Sequence, residues 1–439
     1  MSSLLTLFIL AHSGYPLAYQ ILETPSRPQE LTAGTTFGVL LSDDDGASWS
    51  WVCEEAIGYG QNLSPTWWVS SQRRLLAGSF RGLFLSSDRG CTWSTHPEFD
   101  TLPDGGPRTG VSDLHGSGTA LFATSGTYGV LNRVWRSMND GTDWTKLSVA
   151  STEEFFSTVR TAPSRPQRVY VAAWWFRPDY TEALYVSDDN GDSFTRVDVT
   201  QQMPSVEIRD GGMGLARGSF YVYAVDPTDP DTVWAGLQQN EDPRHSFVLE
   251  SNDQGRTWAS RLDTSAQLTG ISVSADGQTV WASTSGRLYR SVQGGPFTAL
   301  EQPKQFSCAW SFGDRFYSCG WPEVDMFAAA RFQDGGFVPL LTWPRVTSVV
   351  QCPAGSPVKQ QCEAIYPALV ASFPRPFDPD AGTGGGGGGA SGGGGGGGGD
   401  MPPRGCSCSL SGAEVSLTLL VLVGRFASAH ALRRRRVHR

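Results

Sequence analysis

Five strings of one pattern punctuate this chain: SDDDGASW from Ser42, SSDRGCTW from Ser86, SMNDGTDW from Ser137, SDDNGDSF from Ser187 and SNDQGRTW from Ser251. Their serines step by 44, 51, 50 and 64 residues. A motif repeated at that period is architecture before it is an active site, because each unit is a small antiparallel sheet that cannot bury both faces alone. Two degenerate copies, RSVQGGPF at 290–297 and RFQDGGFV at 331–338, extend the series to seven.

Each string follows an alternating apolar run such as GLFLSS (82–87) and opens a short strand with an aromatic, the pattern of a β-hairpin with a longer loop. Within the loop, Asp44, Asp88, Asp189 and Asp253 can accept hydrogen bonds from their own turns, and Gly46, Gly90, Gly141, Gly191 and Gly255 allow a positive φ. Ser42, Ser86, Ser137, Ser187 and Ser251 tie the loop ends, and Trp49, Trp93, Trp144, Phe194 and Trp258 turn inward against the sheet. A second signature, PSRPQELTAG from Pro25, PSRPQRVYVAA from Pro163 and PTDPDTVWAG from Pro227, gives a kinked turn leading into another strand. Four short strands per unit in seven copies predict an all-β chain, a β-propeller of seven four-stranded blades.

The five strings resemble Asp-box (BNR) repeats, S-x-D-x-G-x-[ST]-[WF], of the sialidase-like superfamily; the resemblance covers roughly residues 18 to 375. In the third copy Asn139 stands for the Asp and Asp143 for the hydroxyl residue. The resemblance implies that the boxes sit in outer hairpins away from any catalytic face. An alternative reading of Asp43, Asp44 and Asp45 before Gly46 as a calcium loop fails on spacing, and no metal or other cofactor is expected.

Fifteen Trp and 52 Gly fit short strands and turns. The net charge of −9 conceals a division: residues 401–439 hold seven Arg and one Glu, leaving the first 400 residues near −15, which argues against nucleic acid as a partner. Of eight cysteines, Cys53, Cys91, Cys308, Cys319, Cys352 and Cys362 lie in the body. The short gaps Cys308–Cys319 and Cys352–Cys362 make local disulfides the expectation, leaving Cys53 with Cys91; free buried thiols are the alternative.

The termini predict an exported, anchored protein. Residues 1–15 read as a partial signal peptide, apolar from Leu4 to Leu10 but with no basic residue, and residues 16–380 form the propeller. Residues 381–400 are a Gly-rich flexible linker; its glycine tract, 382–399, has a span of roughly 23 Å. In the tail, 401–439, Gly405-Cys406, Cys408, an apolar stretch from Val415 to Leu432 and Arg433–Arg436 resemble myxobacterial C-terminal sorting tails (MYXO-CTERM). That resemblance implies cleavage near Cys406 by a membrane sorting protease and anchoring at the cell surface; Arg425 and His430 depart from a clean apolar helix. An ordinary transmembrane anchor is the alternative.

No sialidase constellation, zinc cluster or nucleophile elbow is present, and no catalytic residue is assigned. A propeller glycosidase would need two carboxylates across a groove, for which Asp179, Glu182, Asp210, Glu241 and Asp242 lie in expected loops. The aromatics are more informative. Trp67-Trp68 and Trp174-Trp175-Phe176 with Tyr180 place rings where one of each pair must face away from the other. Trp174, Trp175 and Tyr180 are the expected ligand-binding residues, against packing between blades. The functional expectation is a non-enzymatic propeller that binds an extracellular glycan or envelope protein. The alternatives are a glycoside hydrolase and an envelope assembly factor.

Overall fold

A computed structural model describes residues 15–373, apart from residues 26, 61–63, 100–108, 118–119, 176–180, 208–212, 240–243 and 306. The expectations for the leader, the linker and the tail lie outside the described residues. So do Tyr180, Asp179, Asp210, Glu241 and Asp242.

Seven four-stranded antiparallel sheets follow one another along the chain. Their first strands are Ala18–Thr24, Thr66–Val69, Asp113–Ser117, Phe155–Ala162, Ser219–Val225, Leu268–Val273 and Trp310–Phe312. Each first strand contacts the first strand of the next sheet, and the seventh contacts the first, so the seven close a ring with these strands innermost. The chain is a seven-bladed β-propeller. A small hairpin, Ser205–Glu207 with Met213–Leu215, is inserted between blades 4 and 5.

The core is divided. One apolar cluster joins Leu76 and Leu83 of blade 2 to Leu121 and Trp135 of blade 3, and similar clusters fill each later gap between neighbours. The largest cluster spans blades 7, 1 and 2 together with the segment after blade 7. Stability therefore comes from stacking one blade on the next, as the repeat period implies.

All five boxes form the turn between the third and fourth strands of blades 1 to 5. In blade 1, Ser42 Oγ donates to Asp44 Oδ1 (2.8 Å) and accepts from the Gly46 amide (2.9 Å). Asp44 also accepts from the Ser48 amide (2.9 Å) and hydroxyl (2.6 Å). In blade 4 the equivalent bonds to Asp189 hold its carboxyl down to about 2. The blade 3 substitutions compensate each other: Asn139 Nδ2 donates to Asp143 Oδ2 at 2.8 Å, so the bond is kept with donor and acceptor exchanged. The three aspartates of the first box diverge, Asp43 to Arg89 (2.5 Å), Asp44 to its own serines and Asp45 to Arg331 (3.0 Å), which leaves no shared cation position.

The box does more than close its own hairpin. Its turn also binds the start of the second strand of the same blade or the turn just before it, through Asp45 N to Gln29 O, Asn190 N to Gln167 O and Gln254 N to Asp231 O. Its glycine rests on the preceding blade: a Cβ at Gly141 would lie 2.5 Å from Leu76, at Gly191 2.8 Å from Leu147, and at Gly255 2.1 Å from Leu184. Arginines fasten the same joint, Arg74 to the carbonyl of Asp140 (3.0 Å) and Arg136 to that of Asn190 (2.7 Å). The box aromatics divide similarly, since the indoles of Trp93, Trp144 and Trp258 donate to their own box glycine whereas that of Trp49 donates to Leu340 O in blade 7.

Ring closure corrects the expected disulfides. Cys308–Cys319 is the local bridge, but Cys53 pairs with Cys362 and Cys91 with Cys352, at sequence separations of 309 and 261. The reason is topological. The four antiparallel strands of blade 1 all come from N-terminal residues, so neither end of the chain completes the other's four-stranded blade. Instead Val346–Val349 adds a fifth, parallel strand to Trp49–Val52, and the following residues, ending in the helix Glu363–Ser372, are held against blades 1 and 2 by the two long-range bridges.

Candidate ligand-binding face

In antiparallel blades the boxes and the proline-kinked turns fall at one end of the propeller. The loops between second and third strands, and the links from blade to blade, fall at the other. Trp174 and Trp175 are at this second end, because they close the 11-residue strand Arg165–Trp175. They face opposite sides, as neighbours on a strand must. Trp174 packs on the cluster of Met203, Val206 and Ala216 towards blade 5, and Trp175 lies parallel to Tyr128 of blade 3, at 4° and 6.4 Å between centroids. Phe155 stands between them, 5.0 Å from Trp174 and 6.1 Å from Trp175.

Trp174, Trp175 and Phe155 are half-buried and Tyr128 is 60% exposed. Tyr128 is held there by a tied loop: Asn132, itself buried, accepts from the Thr127 amide (2.8 Å) and donates to Thr127 O (3.0 Å) and Glu154 O (2.9 Å). Four rings from two blades thus form one preorganised surface. Tyr128 and Phe155 were not expected from sequence: packing of blade 3 on blade 4 brings Tyr128 to Trp175, and Phe155, the first residue of Phe155–Ala162, meets Trp174 by pairing within its own sheet. The other pair divides differently: Trp67 is fully buried with its indole donating to Tyr19 Oη (2.9 Å), whereas Trp68 is half-buried beside His115.

Glu182, the described member of the five expected carboxylates, is fully buried directly across the sheet from Trp174. Its Oε1 accepts from the Gly218 amide of the next blade (3.0 Å). Burial pushes this carboxyl up to about 7, although the Gly218 amide, Thr200 and Arg217 pull it down. Glu54 is pushed up to about 8 by burial and by the charge of Glu55. Both folded-state values lie above the ordinary carboxylate value, so their contribution is complete below about pH 4.5 and is lost as pH rises through 7 to 8. Denaturant unfolding is therefore expected to show stability falling by a few kcal/mol between pH 5 and pH 8.5. A Glu54→Gln, Glu182→Gln variant should flatten that profile; an unchanged slope would assign the effect to other groups.

The innermost strands carry only two carboxylates, Glu23 and Asp113. Glu23 accepts from Arg315 (2.5 Å) and Tyr317 (2.6 Å). Asp113 is bound by Arg160 and by the Val159 amide (3.0 Å). Burial, with the Arg160 charge, also pushes the His115 imidazole well below its ordinary value, which leaves it neutral at pH 7. Asp113 is thus held by an arginine and Glu23 by an arginine and a tyrosine, and no described group of three or more His, Cys, Asp or Glu can hold a metal ion.

Fold and face together define a seven-bladed propeller whose aromatic face lies at the end opposite its repeat boxes. No family model matches the chain. Over 96 residues it is 29% identical to a probable oligoxyloglucan-reducing end-specific xyloglucanase of Neosartorya fischeri, a match covering 22% of this chain and 10% of that protein. The chain thus spans about a tenth of the length of this curated relative. Among solved structures it is similar to a GH74 xyloglucanase from Xanthomonas campestris, at 14% identity, 73% and 70% coverage and a TM-score of 0.36. It is also similar to YCF48 from Cyanidioschyzon merolae, at 13% identity, 69% and 92% coverage and a TM-score of 0.44. At these scores the likenesses decide neither substrate nor partner.

Proposed function

We propose that this protein is an exported, surface-anchored propeller that binds an extracellular glycan on its Tyr128–Phe155–Trp174–Trp175 face without hydrolysing it. The observation that carries the reading is the ring surface itself: aromatic faces, partly open to solvent and fixed by a tied loop, suit the C–H faces of sugar rings. Three disulfides fit an oxidising compartment, and the sorting-tail resemblance supports anchoring. Glycan-array binding by the folded, oxidised protein tests it. Trp175→Ala should weaken the strongest hit at least tenfold, about 1.4 kcal/mol; an array with no hit, from protein shown to be folded, would overturn the glycan reading and turn the search to envelope proteins.

The second reading is a glycoside hydrolase, favoured by the partial similarity to a xyloglucanase. A hydrolase needs a proton donor and a free carboxylate across a groove; among the described innermost strands, Glu23 and Asp113 are each bound by an arginine. Release of reducing ends from xyloglucan oligosaccharides would establish it.

A further inference from the structure

Neighbouring blades can be joined by very little chain: residues 152–154 suffice between blades 3 and 4, and residues 265–267 between blades 5 and 6. Between blades 4 and 5 the chain instead runs from residue 199 to 218 and carries the inserted hairpin. One residue of blade 4 holds both ends of this insert. The Glu182 carbonyl accepts from the Val199 amide (2.9 Å) and the Thr200 hydroxyl (3.3 Å), its amide donates to Thr200 Oγ1 (3.0 Å), and its carboxyl Oε1 accepts from the Gly218 amide (3.0 Å). The Ala216 amide donates to Pro204 O (2.6 Å), so the two described arms of the insert, 199–207 and 213–218, are also tied to each other.

The two ends are held by different chemistry. The start is bound through backbone groups and a hydroxyl, which do not titrate near neutral pH. The Gly218 end hangs on a carboxyl that is fully buried and whose Oε2 has no hydrogen-bond partner. A neutral carboxyl tolerates that position; a carboxylate there is a buried charge with one oxygen unsolvated, which is unfavourable until water reaches it. Burial holds this carboxyl up at about 7 against the Gly218 amide, Thr200 and Arg217, and the charge of Asp198, on the fourth strand of blade 4, adds to the rise. On the insert Glu207 is exposed, and on blade 5 His245 is paired with Asp263 at 2.8 Å.

The insert also bears on the aromatic face. Its Met203, Val206 and Ala216 share the apolar cluster on which Trp174 packs, and Glu182 lies directly across the sheet from Trp174. Loosening the insert therefore uncovers the side of Trp174 turned towards blade 5.

We infer that Glu182 is a pH-sensitive latch: as the free acid it clasps residues 199–207 and 213–218 onto blade 4, and on losing its proton to solvent it admits water to Oε2 and lets them lift from Trp174. The latch is independent of what the aromatic face takes. Its direction follows from linkage. A carboxyl that titrates at about 7 with the insert closed, and near the ordinary 4.5 with it open, favours the closed form fully below 4.5 and loses that preference as pH rises through 7. Between about pH 6 and pH 9 the open-to-closed ratio rises about tenfold.

Hydrogen exchange of the oxidised full-length protein at these two pH values, expressed as protection factors so that intrinsic rates cancel, tests this. The amides of Val199, Gln202, Ala216 and Gly218 should lose about tenfold in protection on going to the higher pH. In Glu182→Gln, which keeps an acceptor for the Gly218 amide but does not titrate, the loss should vanish. In Glu54→Gln, which removes the other raised carboxyl, it should persist. Unchanged protection in the wild type, or a loss that survives Glu182→Gln, overturns the latch. So do insert amides as protected as those of Leu268–Val273, because they would then exchange only when the whole propeller unfolds. Should Glu182→Gln fail to fold, Glu54→Gln decides: a loss confined to the insert supports the latch, and one abolished with Glu54 overturns it.

Discussion

Replacing Cys53 and Cys362 together by alanine is expected to lower the free energy of unfolding by about 2–5 kcal/mol. The bridge joins residues 309 apart, and both sulfurs sit in the largest apolar cluster. Without it, the closure between the two ends of the ring rests on the parallel pairing of Val346–Val349 with Trp49–Trp51, on the Trp49 indole with Leu340 O (3.0 Å), and on the ion pairs Arg331–Asp45 and Arg315–Glu23. Cys91–Cys352 still limits how far the ends separate, so the loss is smaller than for both bridges together. Denaturant unfolding without reductant measures the change. Peptide mapping of the unreduced wild type checks the premise, and recovery of Cys53 joined to Cys91 would overturn the closure described here.

Gly255→Ala is the second large effect, with an expected cost of about 2–5 kcal/mol. Two terms add. Gly255 has φ +81, a left-handed conformation that costs an L-residue with a Cβ roughly 1–2 kcal/mol. The new methyl would also lie 2.1 Å from Leu184 Cδ2, and overpacking of a filled core costs about 1–3 kcal/mol. Leu184 is fully buried in the cluster between blades 4 and 5, so it has little room to yield. Ala at the exposed Gly335, also at positive φ (+82) but with nothing within 4 Å, is the control: it should show the conformational cost without the packing cost. Equal losses at the two positions would mean that the box glycine serves only its own turn.

The contrast between these glycines shows where the sequence was legible. The box at 251–258 announced a turn, a positive φ and an inward aromatic, all local consequences of residue type. That the turn also rests on Leu184 of the preceding blade was not legible, because the two residues are 71 positions apart and no local pattern links them. The same limit applies to the candidate site. Trp174 and Trp175 stood out as adjacent rings, whereas Tyr128 gave no signal until blades 3 and 4 were stacked and Phe155 none until the strand register set it opposite Trp174.

The sequence by itself determined the repeat, the blade count and the hydrogen-bonding chemistry of each box, since these follow from spacing and from donors and acceptors a few residues apart. It even carried the paired exchange at Asn139 and Asp143, whose swapped donor and acceptor sit in one turn. Tertiary structure decided the rest: which cysteines meet, which carboxylates of the innermost strands are engaged, and which aromatics share a face. The cysteine pairing depends on closing a ring, which brings residues 53 and 362 to a Cα separation of 5.4 Å, and the rest depends on stacking neighbouring blades, which sets Tyr128 beside Trp175. Chain proximity determines the first group; the second is set by the burial of apolar faces between neighbouring blades, which acts without regard to sequence distance.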